Sequence, residues 1–164
     1  SSWQPRAFVL DRTWVDQVEK TAFALRERTI LALDPGRVER MRLVEGGRDL
    51  ELARRDAAWM APGSERPRVG VDVLLWRLSR LAFAANPRSG LPEGVGAILT
   101  WDLLDARDEH LARLAFACDP RLPAGLVWCE DLLRGQAYPV SDELYREAAG
   151  LLPGRPATGA KSAS

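Results

Sequence analysis

Several residue types are scarce in these 164 residues: there are two Cys, two Met and one His. Lys20 and Lys161 are the only lysines among 23 basic residues. Cys118 and Cys129 fit neither a disulfide scaffold nor a zinc site, and no Cys-x-x-Cys occurs. Cysteine usage therefore carries no signal of compartment, and with one histidine any metal site would rest almost wholly on carboxylates. No uncharged apolar run approaches the roughly 18 residues that span a bilayer. Ser1-Ser2-Trp3-Gln4-Pro5-Arg6 lacks the charged region and apolar stretch of a secretory signal peptide. The absence of an initiator Met is expected of a processed chain or of a piece of a longer one. Charge of one sign is also missing, because 23 Lys+Arg balance 23 Asp+Glu. That balance argues against a nucleic-acid binder, which needs a basic excess to displace phosphate counterions, and against a polybasic membrane-surface protein.

What is present is enough for one globular domain. A chain of this size buries about 68–70% of its unfolded surface without a disulfide or metal staple. At 46% hydrophobic and 28% charged residues it is expected to fold rather than to remain a solvated tail. The charges are interleaved: residues 1–60 hold 11 cations and 10 anions. The arginines are scattered, with no site to explain their excess over lysine, and the skew is read as codon usage of the source genome.

Arg6 to Leu10 is expected as a short strand, and Asp11 can cap a helix whose Trp14, Val18, Ala22 and Leu25 share one face. Arg26 to Leu33 is a connector closed by Asp34-Pro35-Gly36. Met41 and Leu43 alternate with polar residues, as do Leu50 and Leu52, and Gly46-Gly47 between them suits a two-residue hairpin turn. After a turn at Arg55-Asp56-Ala57, Trp59-Met60 can add a short third strand. Val71 to Ala84 is predicted as a helix with Val71, Leu74, Leu75, Leu78, Leu81 and Ala82 on one stripe. Asn86-Pro87 and Ser89-Gly90-Leu91-Pro92 stop it and form a loop. Beyond that the period drops to two, and Val95–Leu104, Leu111–Cys118, Gly125–Cys129 and Gly135–Val140 are predicted as an antiparallel meander. Ser141 is expected to cap a last helix with Leu144, Ala148 and Leu151 inside.

An internal echo connects the two ends. Ala7-Phe8-Val9-Leu10-Asp11 before the Trp14-Val15 helix matches Ala137-Tyr138-Pro139-Val140-Ser141 before the Leu144-Tyr145 helix. The offset of about one domain length suggests that the chain starts at the end of one repeat and contains a whole second one; two unrelated strand-to-helix joins are the alternative. The expected organisation is a strand-helix over residues 1–27, a preceding repeat's end or an N-terminal extension. A single α+β domain follows over 28–152, and a disordered tail over 153–164.

Phe23 to Asp34, the hairpin opening Val38-Glu39-Arg40-Met41, Leu50-Glu51-Leu52, Asp56-Ala57-Ala58-Trp59 and the helix Val73 to Leu78 follow a recognisable order. In that order, over roughly residues 23–152, the chain resembles the domain-of-unknown-function 4340 family. Asp72 falls near where that family places an acidic residue at the helix start; the charged loop from Ser64 to Arg68 departs from it. The resemblance implies an extracytoplasmic part of a bacterial envelope protein, anchored in the inner membrane upstream of this chain. It also implies association with an ABC-type transport system of the gliding-motility kind. It carries no catalytic residues.

Asp105-Ala106-Arg107-Asp108-Glu109-His110 is the one cluster that suggests acid–base or metal chemistry. Its place between two alternating apolar runs makes a polar hairpin turn the better reading. Gly90 to Gly96 lacks the ending of a phosphate loop, and Ser89 and Ser141 have no histidine in a triad pattern. Cys118 and Cys129 lie on neighbouring predicted strands but out of register, so two free thiols are expected. Of the six Trp, most are expected in the core, where each buried ring stabilises by several kcal/mol at about 25 cal/mol per Å². Trp76, at the edge of its helical stripe, and Trp3 are the candidates for an interaction surface with a neighbouring repeat or a partner.

The expected fold is α+β, an antiparallel sheet of about six strands in the order ββ-α-ββββ-α, with two helices on one face. The expected function is a non-enzymatic module without a cofactor or metal, acting through protein–protein contacts in a membrane complex or with an adjacent repeat. A peptide- or glycan-binding domain using a concave sheet face is the alternative. A hydrolase built on Asp105–His110 ranks far behind.

Overall fold

The computed structural model describes residues 28–154. The expected strand-helix over 1–27, with Trp3 and Trp14, and the tail from 155 onward lie outside the described residues. Those described form one antiparallel sheet, with two helices on one face.

The Gly46-Gly47 turn works as its composition predicts: both glycines take positive φ (53° and 81°) and join β1 (Arg40–Glu45) to β2 (Arg48–Arg55). A second two-residue turn leads to β3 (Ala58–Met60), and here Asp56 and Ala57 hold positive φ of 48° and 64°. Helix α1 spans Val71–Ser79 and buries Val71, Leu74, Leu75 and Leu78. It ends before the predicted Ala84. Leu81 to Ala84 instead run extended: Ala82 bridges Thr29, and the Ala84 amide donates to the Pro139 carbonyl at 2.7 Å. The residues assigned to the helix's last turn and to the connector thus meet in an isolated bridge, held by backbone bonds from Ile30 to Leu81 and from Phe83 to Arg28.

A short β4 (Arg88–Ser89) follows where a loop was expected, and it pairs with the last strand. The meander is β5 (Leu99–Leu104), β6 (His110–Ala117), β7 (Leu126–Asp131) and β8 (Gln136–Ser141). Helix α2 (Glu143–Leu151) closes the described fold. Asp142, not Ser141, occupies its cap position, although Ser141 Oγ accepts from the Glu143 amide at 3.4 Å. The sheet has eight strands rather than about six, in the order β3-β2-β1-β5-β6-β7-β8-β4. The additions are the short edge strands β3 and β4.

Register makes the two faces legible. Leu50, Leu43, Trp101 and Leu114 face one another in a row across β2, β1, β5 and β6, and Leu52, Met41, Leu103 and Ala112 form the next. Both rows lie under the helices and are buried. On the opposite face Glu51, Arg42, Asp102 and Arg113 form an alternating ladder of charge across the same four strands. The expected contrast between an apolar and a polar face therefore holds for β1, β2 and β5. It fails at β6 to β8, where Ala117, Trp128 and Ala137 make a second small core under Leu91, Val95 and Leu122.

Candidate functional site

Trp76 and Arg77 fall outside the buried stripe of α1, so the helix turns both toward solvent. Trp76 is 53% exposed, and Val73, one turn earlier, is 62% exposed. Val69, just before the helix, is 85% exposed. The Arg80 guanidinium lies 4.8 Å from the centre of the Trp76 ring, in the range of a cation–π contact. Between the end of α1 and the start of α2 is a cleft of about 330 Å³, lined by Trp76, Arg80, Leu81, Ala82 and Leu144 together with the polar Arg77, Ser141 and Glu143. Arg77 forms an ion pair with Glu147, tying α1 to α2 beside it. The cleft thus joins an exposed aromatic, two arginines and an apolar floor, residue types that concentrate binding energy at protein interfaces.

The open side of the sheet holds a second hollow, of about 340 Å³, over the charge ladder. Here the charges answer one another. Arg42 Nε donates to Asp49 at 3.0 Å, which holds that carboxyl below its ordinary range. Arg113 Nε lies 3.0 Å from Asp102 Oδ1, an ion pair without the angle of a hydrogen bond. Arg40 pairs with Asp108 at the rim.

The Asp105–His110 cluster is the β5–β6 turn, as its flanks predict. Asp105 accepts from the amides of Glu109 at 3.0 Å and Arg107 at 2.8 Å, and those bonds hold its carboxyl below the ordinary value. Its Oδ1 thus shapes the loop, while Oδ2 lies 3.9 Å from the Arg37 guanidinium. His110 is exposed on the strand beyond and lines the open hollow. Among the described residues no group of three or more His, Cys, Asp or Glu is placed to hold a metal.

Two further buried carboxylates escaped the sequence reading. Asp119, 7% exposed, accepts from Arg121 Nε at 2.8 Å, from the Arg121 amide at 3.0 Å and from Trp128 Nε1 at 3.0 Å. The Arg121 bond leads in bringing its pKa down to about 2. Asp131, 2% exposed, accepts from the amides of Leu133 at 3.0 Å and Arg134 at 3.3 Å. Asp105, Asp119 and Asp131 thus repeat one device after three successive strands, each bonding the amide two residues on. The signal was in the sequence as Asp-x-Arg at Asp105 and Asp119, and as Asp131 three residues before Arg134.

Asp72, in the first turn of α1, accepts from Trp59 Nε1 at 3.0 Å and from Arg54 at 2.8 Å. An acid there therefore pins the helix to β2 and β3. Cys118 and Cys129 are both free, the first exposed and the second buried. Phe116, not Cys118, is opposite Cys129. No helix among the described residues is long and apolar enough to cross a membrane. Compared with protein-family models, curated proteins and solved structures, the chain matches none of them.

Proposed function

We propose that this chain is a non-enzymatic contact module: an extracytoplasmic accessory domain of a membrane-anchored, transport-associated protein, acting through protein–protein contacts. One observation carries the contact role. The outer side of α1 presents Val69, Val73 and Trp76 to solvent on a helix whose other side is fully committed to the core. Exposing a Trp and two Val together forgoes about 25 cal/mol for each Å² of apolar surface left wet, and a partner that covers them recovers it. The envelope setting comes from the family resemblance. The peptide- or glycan-binding alternative is less well supported, because the open hollow has no Trp, Tyr or Phe among its lining residues and most of its arginines and carboxylates are paired.

Photo-crosslinking in cells of the source organism tests the contact role, with the crosslinking residue at Val73 in one full-length variant and at Glu51 in another. A discrete protein adduct at Val73, absent at Glu51, is expected. Adducts from both positions alike, or only from Glu51, would overturn it. Labelling intact cells with a membrane-impermeant maleimide tests the setting through the exposed Cys118. Reaction before lysis supports an extracytoplasmic domain, and reaction only after lysis removes that part of the proposal.

A further inference from the structure

We propose that the outer side of α1 is where two copies of this chain meet, their helices antiparallel about a two-fold axis, with Val73 of each against Trp76 of the other. The inference rests on the contact reading of this surface and names the partner as a second copy.

The face is self-complementary in shape. Val73, Trp76 and Arg80 lie on the side of α1 opposite Val71, Leu74, Leu75 and Leu78, which the core takes. With a two-fold axis at the level of Leu74 and Leu75, Val73 comes opposite Trp76 of the second copy, and the contact is made twice. Val69, just before the helix, turns toward the second copy's last helical turn.

Charge sets the partner and its direction. A two-fold axis across two antiparallel helices keeps each flank on its own side, so a flank meets its own copy. Asp72 and Trp76 are one turn apart and share a flank. Asp72 therefore comes beside the Trp76 ring of the second copy, on which that copy's Arg80 guanidinium rests, 4.8 Å from the ring centre. Among the described residues Arg80 forms no ion pair. The Asp72 side chain is 60% exposed, and Arg54 and Trp59 both bond its Oδ1. Its Oδ2 is thus placed to take Arg80 of the second copy, and the contact holds two such pairs. Arg77, on the other flank, is already answered by Glu147. A parallel pairing would instead set Arg80 against Arg80. Zero net charge removes the general repulsion between copies. The nine residues of α1 span only about 14 Å, so the contact falls at the small end of protein interfaces and association is weak and concentration-dependent.

Sedimentation velocity of the full chain at rising concentration tests this, in reductant so that Cys118 cannot link copies. The expected result is a reversible shift from 18.2 kDa to twice that mass and no further. Val73→Asp should hold the chain at the single mass. Arg80→Glu should weaken association about tenfold, because symmetry makes each lost pair count twice, and Arg80→Lys by less than about threefold. Leu133→Asp, at another exposed apolar site, should change nothing. A Tm equal to the parent's in each variant separates lost association from lost fold. A single mass at every concentration overturns the inference, as does growth beyond two copies. A dimer that survives Val73→Asp, or is indifferent to Arg80→Glu, also overturns it. A Val73 adduct with a different protein, alongside a single mass, would sink this inference and spare the contact module. No adduct at Val73 together with a single mass would sink both.

Discussion

Replacing Trp128 by Phe should cost more stability than replacing Trp101 by Phe, although Trp101 is the more deeply buried. Trp101 is 0% exposed and Trp128 9%, so burial alone predicts the opposite order. The indole N–H groups decide it. Trp128 Nε1 donates to the enclosed Asp119 carboxylate at 3.0 Å, whereas Trp101 Nε1 is buried without a partner. Trimming either indole to a phenyl ring removes roughly 40 Å² of buried apolar surface, about 1 kcal/mol. At Trp128 the loss of a hydrogen bond to a charged acceptor adds about 1.5–3 kcal/mol. At Trp101 the change instead removes an orphaned donor whose burial costs about 1–3 kcal/mol, offsetting most of the lost area. The expected destabilisation is about 2.5–4 kcal/mol for Trp128→Phe and under about 1 kcal/mol for Trp101→Phe. Urea unfolding followed by circular dichroism at pH 7 measures both. With a slope of about 2 kcal/mol/M, the midpoint should fall about 1 M further for Trp128→Phe. Equal midpoints, or a lower one for Trp101→Phe, would refute the claim that partnering outweighs burial here.

Ala57 sits at φ 64° in the β2–β3 turn, a conformation costing an L-residue about 1–2 kcal/mol, so Ala57→Gly should stabilise even after about 0.4–1 kcal/mol of added unfolded-state entropy. Calorimetry should show Tm higher by roughly 1–3 °C; an unchanged or lower Tm would count against strain at that turn. Asp119 has its pKa lowered from 3.8 to about 2, chiefly by the Arg121 hydrogen bond. The stability its charged form contributes is fully present above pH 3.8 and lost as pH falls through about 2. Asp119→Asn should therefore be less stable than the parent at pH 5, with the gap narrowing from pH 4 toward 2; parallel Tm–pH curves would contradict this. Cys118 is exposed, while Cys129 is fully enclosed and burial pushes its thiol well above the usual range. Mass spectrometry should find one maleimide adduct on the native chain and a second only in denaturant, with no mass change on reduction. Rapid native labelling of Cys129 would mean that β7 opens readily.

Much of the fold was legible because it is written in short-range chemistry. Gly46-Gly47 specifies its turn through backbone freedom, and the alternation around Met41, Leu43, Leu50 and Leu52 specifies which side of the hairpin is dry. The failures share a cause. Leu81, Ala82 and Phe83 continue a helical stripe in one dimension, yet they leave the helix for an isolated bridge because Arg28 and Ile30 offer backbone partners that only the folded chain brings near. Arg88 and Ser89 likewise become an edge strand by pairing with Ala137 and Gln136, nearly fifty residues on. Of the candidate surface, Trp76 was visible from its place at the edge of its stripe. The cleft beside it was not, since Ser141, Glu143 and Leu144 join it through a helix–helix contact with no local signature.

The described residues hold no lysine, and every basic partner in their ion pairs is Arg. The planar guanidinium can pair with a carboxylate while its remaining donors serve backbone or ring, which a point-charge ammonium does less well. Arg121 bonds Asp119 through Nε and reaches the Glu93 carbonyl with Nη2 at 3.4 Å, linking two loops over the small second core. Arg54 contacts Asp72, the Val38 carbonyl and the Trp59 ring together. With so many charges turned inward on one another, the open sheet face offers a ligand few unclaimed groups. Arg80 is different: its cation rests on an exposed indole at the lip of an apolar cleft. At Trp76, exposed aromatic surface, a guanidinium and an apolar cleft thus lie side by side.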